Sequence, residues 1–350
     1  MKNKRFLVLF VIVLSVALMF TFTGCSKNSS STPSSSASGS KTAVITGTFG
    51  HVLATDSPGN KAAIFFIEEL KKRTNGEIVI ENHPNSELGS DRELIEAMQM
   101  GAVDFSLSGA SILSPFENRL SVWNMPFLFD NLQQAQAVID SDACKGILNA
   151  STDSTGVMIL GSCENGFRQL ETNGTQVKTL ADLQKLKIRI PQSDFYNNLW
   201  STMGANGSAL AWGELYTALQ TGVVDGAETP ICNFAASGFA EVTHYFTYTN
   251  YTWDPLFLTC SKKFWDKLTP VQQDIVNNLV QETVAYQRNL VNETEASLEK
   301  ELKEKYKMEF NKLSDEARAE FRKAVQPMYD NYKFQDDLKS ITAVITAIPK

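Results

Sequence analysis

The stretch "LKIRIP", residues 186–191, sets one guanidinium inside an apolar alternation. Leu186, Ile188 and Ile190 recur at every second position, Lys187 and Arg189 fall between them, and Pro191 ends the run. That period reads as a half-buried strand, so Arg189 faces away from the apolar side. Its planar fork of N–H donors matches a carboxylate through parallel hydrogen bonds, and it stays protonated in dry surroundings where a lysine could not. From the alternation alone two readings stand: a solvated arginine, or one aimed at a bound anion.

The residue types that usually carry catalysis are sparse. The histidines are His51, His83 and His244, none at metal-ligand spacing, and no HExxH, GxSxG, P-loop or GxGxxG occurs. Acidic pairs such as Glu68–Glu69 fall on the polar face of a helix, where simple solvation accounts for them. Cys144, Cys163, Cys232 and Cys260 are far apart with no CxxC spacing. Sequence cannot pair them, and buried free thiols are the expectation. An enzyme has no anchor in this set, and neither a metal nor a cofactor is expected. What remains is a cleft that binds a small molecule.

The first residues read as an address rather than as fold. Lys2, Lys4 and Arg5 precede an apolar run, residues 6–20, broken only by Ser15, and "FTGC" follows. A positive start, a short apolar core and small residues before a cut describe a secretory signal. The run is short for a membrane span, the competing reading. Cys25 after Thr23 and Gly24 resembles a bacterial lipobox, which implies acylation of Cys25 and a chain held at the membrane outside the cytoplasm. The Ser-rich residues that follow, through Lys41, cannot bury enough apolar surface to fold and read as a tether. Loss of those three charges leaves 29 of the 32 Lys and Arg against 39 Asp and Glu, a net of −10. Nucleic acid, which needs a basic footprint, is excluded, and an anionic ligand must be caught by a few placed cations.

The elements that hold Arg189 alternate between strands and helices. "TAVITGTF" reads as a strand, followed by a loop with His51 and a turn "DSPGN". Residues 61–74 form an amphipathic helix with Ala62, Phe65, Phe66 and Leu70 on one stripe. "EIVIEN" is a second strand. "SDRELIEAMQMG" is a helix with Ser90 as N-cap, Glu93 three residues on and Gly101 past its end. "VDFSLSG" is a third strand. A similar succession after Gly161 contains the Arg189 strand, a helix at "SDFYNNLWSTMG" and another at "WGELYTALQTG". Alternating strands and helices predict α/β units with a largely parallel sheet. Near the end, Thr269, Pro270 and Gln272 open a helix that meets no Gly or Pro before Pro327. Its pattern over residues 268–306 predicts a rod of roughly 50 Å, long enough to cross two domains.

The stretches "ELKKRTNGEIVIENHPNSELGSDRELIEAMQMGAVDFSL", "NMPFLFDN", "LADLQKLKIRIPQS" and "GELYTALQTGVVDGAETP" resemble the solute-binding proteins of tripartite ATP-independent periplasmic (TRAP) transporters, the DctP-type family. The resemblance runs from Ala43 to about Ser340. It implies a periplasmic-binding-protein-like α/β fold with two domains, a ligand cleft between them and a long domain-crossing helix. The segments are then 1–24 as signal peptide, 25–41 as tether, 42–166 plus about 255–295 as domain I, and 167–254 plus about 296–350 as domain II. The resemblance assigns the carboxylate-binding arginine to Arg189, a second arginine to Arg168, and further pocket contacts to Gln192, Trp212 and Thr229. Thr229 stands where many relatives carry Asn, and Tyr251 where they often carry His. From domain I it points to Ser108, Gly109, Asp91 and His51. The implied function is capture of an organic acid, a sugar acid ahead of a C4-dicarboxylate, and its delivery to the TRAP membrane subunits. A receptor that signals to a membrane sensor kinase is the alternative, and gene neighbourhood separates the two.

Overall fold

The computed structural model describes residues 44–348, and the signal and lipobox expectations lie outside them. The strands are β1 (Ile45–Gly50), β2 (Ile78–His83), β3 (Phe105–Gly109), β4 (Val157–Thr172), β5 (Lys187–Ile190), β6 (Asn206–Ala209), β7 (Gly226–Thr229), β8 (Tyr245–Ser261) and β9 (Glu309–Lys312). They form one sheet in the order β2-β1-β3-β8-β4-β7-β5-β6, with β9 paired to β8 off that path. Two parallel groups lie at the ends: β1 with β2 and β3, and β5 with β6 and β7. The centre is antiparallel, because β8 joins β3 to β4 and β4 joins β7. The sheet is therefore mixed, where a largely parallel one was expected.

The centre escaped the sequence reading because β4 and β8 are very long strands, of 16 and 17 residues, buried on both faces for much of their length. Such runs carry no clean alternation. Together they join the two ends of the sheet: β8 pairs β3 through Leu256–Cys260, while β4 pairs β7 through Gln169–Thr172. Their mutual register shifts between Ile159 and Gly161, Glu164 and Gly166, and Arg168 and Leu170. Bulges bend a strand and re-aim its side chains.

Local signals explain the helices near the site. The expected "DSPGN" turn is instead a helix start. Ser57 Oγ accepts the Asn60 N–H at 3.2 Å, and Pro58 opens the helix Pro58–Arg73, its fixed φ already suited to that position. The helix Asp91–Met100 has the full reciprocal cap between Ser90 and Glu93 and ends at Gly101, whose φ of 77° is left-handed. Thr269 and Gln272 cap the helix Pro270–Tyr306, which is 37 residues long.

That helix braces the long strands. Arg73 bonds Glu282 at 2.7 Å near its start. In its middle, the Gln287 amide accepts from Glu164 N at 2.7 Å and donates to Glu164 O at 2.8 Å, clamping β4. Gly161 of β4 lets it approach: a Cβ there would stand 2.6 Å from Val280 and 2.9 Å from Val284. Further along, Val291, Leu298 and Leu302 pack into a core with Leu215, Phe234, Phe239 and Phe246. The four cysteines among the described residues are buried and free.

Candidate functional site

The bulged middle of β4 and β8 forms the floor of a cleft with about 470 Å³ of empty volume, partly open to solvent. Leu107, Gly109 and Ser111 line it from the end of β3 and the short helix Ala110–Leu113 after it, and Asp91 from the start of its helix. Arg189, Pro191, Trp212, Pro230 and Asn233 line the opposite side, with Asn165, Arg168 and Asp254 on the floor.

Arg189 is 3% exposed. Both faces of β5 are covered: Ile188 and Ile190 enter the core and only Lys187 reaches solvent. The Arg189 Nε and one terminal nitrogen donate to Leu210 O at 3.0 and 2.8 Å, fixing one edge of the guanidinium. Its carbon lies 5.5 Å from the Trp212 ring centroid, and Trp212 in turn packs on Phe239. No carboxylate lies within ion-pair distance of it among the described residues. Burial, then the neighbouring Arg168 charge, lowers its pKa to about 10, with Glu228 and Asp91 opposing. It remains a cation at neutral pH, oriented and incompletely compensated.

Arg168 differs. It is paired with both Glu228 and Asp254, the latter at 2.9 Å, and also donates to Glu228 O at 2.7 Å. Tyr251 donates its hydroxyl to the same Glu228 carboxylate. Asp254 is a hub: it accepts from Ser111 N at 3.2 Å and Ser111 Oγ at 3.0 Å, from Asn124 at 3.1 Å and from Asn165 at 3.2 Å. Asn233 donates to Asn165 Oδ1 at 2.6 Å, tying the helix Ile231–Ala236 to the floor. Gly109 packs against this hub, since a Cβ there would stand 2.9 Å from Asp254 Oδ2. A paired buried charge of this kind fixes geometry.

Of the sequence-assigned residues, the cleft brings together Arg189, Arg168, Trp212, Gly109 and Asp91. It does not include Ser108, Thr229, Gln192 or His51. Ser108 alternates with Leu107 and Gly109, so its hydroxyl turns to the other face and meets Ser106 Oγ at 3.3 Å. Thr229 is wholly buried in β7, its amide donating to Glu171, and the next residue, Pro230, takes the cleft position. Gln192 lies past Pro191 on the exposed surface. His51 is fully buried edge-on to Phe49, with the Asn60 and Asn82 amides beside it outside hydrogen-bonding geometry. Burial lowers its pKa to about 4, so it is neutral. Asp254, Asn165, Asn233, Ser111 and Glu228 were missed. Asp254 and Glu228 left a signal: a single acid inside an apolar strand must be paired when buried.

Glu171 sits beneath the site, wholly buried, with Oε2 accepting from Thr229 N at 3.2 Å and Oε1 unpartnered. Burial above all raises its pKa to about 8 from 4.5. The folded protein thus keeps a proton that the unfolded chain releases, and stability falls as pH rises from about 4.5 to about 8. Glu164, raised to about 7 for the same leading reason, adds a slope of the same sign. Glu171→Gln should flatten the slope and raise the melting temperature at the alkaline end. Thermal melts across that window check this; an unchanged slope would show that Glu171 is ionised in the fold.

A mixed α/β sheet whose central strands cross a cleft holding an oriented cation is an arrangement able to bind a small anionic molecule. Residues 49–336 match the bacterial extracellular solute-binding protein family 7, and the chain belongs to that family. It is 30% identical over 300 residues to the C4-dicarboxylate-binding periplasmic protein DctP of Rhodobacter capsulatus, covering 85% of this chain and 90% of that one. The fold superposes with a TM-score of 0.84 on the sugar acid binding protein of Advenella mimigardefordensis in complex with galactonate, at 28% identity and with 87% and 99% of the two chains covered. A TRAP periplasmic solute-binding protein of Xanthobacter autotrophicus with bound β-D-galacturonate gives a TM-score of 0.81 at 31% identity, covering 86% and 99%. Those proteins have two domains around a ligand cleft, and this chain shares their architecture.

Proposed function

We propose that this chain captures an organic acid by its carboxylate at Arg189, with a sugar acid preferred to a C4-dicarboxylate, and delivers it to the membrane subunits of a TRAP transporter. The observation that carries this is the contrast between two buried arginines 21 positions apart in sequence. Arg168 is already paired with Glu228 and Asp254, whereas Arg189 is held only by a carbonyl and faces the cleft. The Trp212 ring beside it offers an apolar wall for a carbon skeleton. Relatives hold galactonate, galacturonate and succinate, so sugar acids and dicarboxylates both lie within the range this reading covers.

The two domains would be 42–166 with about 255–295, and 167–254 with about 296–350. Both breaks fall at the Gly166–Asp254 pair, where the β4 and β8 register opposes them across a bulge, and this supports a flexing line there. A ligand carboxylate contacted from both sides binds the closed state better and so shifts the population toward it. Cys25 would carry the lipid, with the Ser-rich segment as tether.

A thermal-shift panel tests the reading with hexuronates, aldonates, C4-dicarboxylates, keto acids, sialic acid and neutral sugars. Ligand at about a thousand times its Kd adds roughly 4 kcal/mol to the folded state. Stabilisation by one acid class is expected. Stabilisation by neutral sugars alone would refute the carboxylate reading.

A further inference from the structure

Resting on the two-domain reading, we propose that the C-terminal segment, residues 325–348, is a strap that grips both domains at one end of the cleft, holds the closed state and slows ligand release. The chain enters this segment from the second domain. Strand β9 pairs with Tyr245–Tyr248 of β8, and in the following helix, Asp315–Ala324, Arg318 donates to Thr249 O at 3.2 Å. The segment ends on the first domain. Asp337, in the helix Gln335–Ala347, accepts from Nε and one terminal nitrogen of Arg119 at 2.8 and 2.7 Å. The Tyr332 hydroxyl meets Ser121 Oγ at 3.1 Å, and the Tyr329 hydroxyl donates to Pro126 O at 2.7 Å. The helix Gln335–Ala347 also packs on the helix Leu132–Ile139.

Between these two anchorages the chain touches the seam between the domains. Met328 is buried, and Asn198 of the helix Asp194–Thr202, a second-domain element, donates to its Sδ at 3.2 Å. A groove lies here, with Ser114 and Pro115 on the first-domain wall, Ser193 and Asp194 on the second, and Met328 and Tyr332 from the strap. Ile112 and Pro191, just before those walls, line the cleft itself, so the groove is the cleft's lateral end. The mouth is shut in this structure: Ser86 Oγ lies 3.6 Å from where a Cβ on Gly213 would stand.

Swinging the domains apart about the Gly166–Asp254 line widens the groove. Met328 then cannot stay on the Asp194–Thr202 helix while Asp337 and Tyr329 stay on the first domain, and one set of contacts must break. β4, β8 and the helix Pro270–Tyr306 cross between the domains as continuous elements that bend, whereas the strap is held by discrete contacts that are made or lost. Contacts present in one state and absent in the other are what bias an equilibrium. Loosening the strap lowers the closed population, and the apparent Kd rises in inverse proportion to it. Changes of this kind within one binding site appear mainly in the off-rate.

The test reads the distance across the mouth by pulsed electron resonance between spin labels at Glu87→Cys and Gln220→Cys, two exposed positions; the native cysteines among the described residues are buried. It compares the otherwise wild-type chain, Arg119→Ala, Asn198→Ala and the exchanged pair Arg119→Asp with Asp337→Arg, empty and with D-galactonate, D-galacturonate or succinate. Calorimetry and stopped-flow release are run on the unlabelled chains. Arg119→Ala is expected to lengthen the distance in the empty protein, to raise Kd by at least about threefold for the acid that binds, and to speed its release. Asn198→Ala should move all three in the same direction, and the exchanged pair should return them toward wild type. Distances and release rates unchanged in Arg119→Ala overturn the strap. So does a change that the exchanged pair leaves uncorrected, because the effect then does not run through this ion pair. A wild type whose distance is the same empty and with every acid overturns domain closure itself, which separates the two failures.

Discussion

Arg189→Ala is expected to abolish ligand binding and to leave the empty protein at least as stable as wild type. The loss follows from geometry. One edge of the guanidinium is fixed by Leu210 O and one face by Trp212, so the remaining N–H groups are pre-aimed at the cleft. Removing one partner of a charge-assisted pair in a desolvated site costs about 3 kcal/mol or more, at least about a hundredfold in Kd. The unchanged or raised stability follows from electrostatics. Burial pulls the Arg189 pKa down to about 10, so the empty fold holds this charge at a cost that alanine removes. Arg189→Lys should bind poorly as well, because an ammonium cannot form the fork. Calorimetry and apo melting curves check both halves. A variant that melts far below wild type would make Arg189 a structural residue, and retained affinity would remove it from the site.

Arg168→Met should give the opposite pattern: large destabilisation first, with loss of binding as its consequence. The substitution strands Glu228 and Asp254, both fully buried, without their shared cation. Breaking a buried pair on one side costs roughly 3–5 kcal/mol. For a chain of this size that lowers Tm by about 5–8 °C. Adding Glu228→Gln should recover part of the loss, because a neutral amide no longer needs the guanidinium, while Tyr251 can still donate to its oxygen. Melting curves of the single and double variants decide this. Were Arg168 chiefly a ligand contact, the single variant would keep its Tm and lose affinity alone.

Both arginines are assigned to the ligand by resemblance, Arg189 inside an alternating strand and Arg168 inside a long strand without clean alternation. What separates them is who stands opposite. Gln169–Thr172 pairs with Gly226–Thr229, which brings Glu228 to Arg168, and the β4–β8 ladder brings Thr252 and its neighbours, Asp254 among them. No local pattern encodes those partners, because they lie 60 and 86 residues away. Ser108 and Thr229 lie outside the cleft lining for a smaller reason. In a strand a shift of one residue turns a side chain to the other face, and Leu107 and Pro230 line the cleft where Ser108 and Thr229 do not.

The sequence by itself determined the elements with strong local causes: the capped helix after Ser90, the long helix after Thr269, the Arg189 strand, and a net charge that leaves anion capture to a few cations. Those features rest on contacts within a few residues, or on composition, and both can be read along the chain. Only the tertiary structure decided that the sheet's centre is antiparallel, that Asp254 ties together the cleft floor, that Arg168 is paired and that Arg189 is not. These depend on which distant strands lie side by side. The free energy of a buried charge is set by that three-dimensional company rather than by its own residue type.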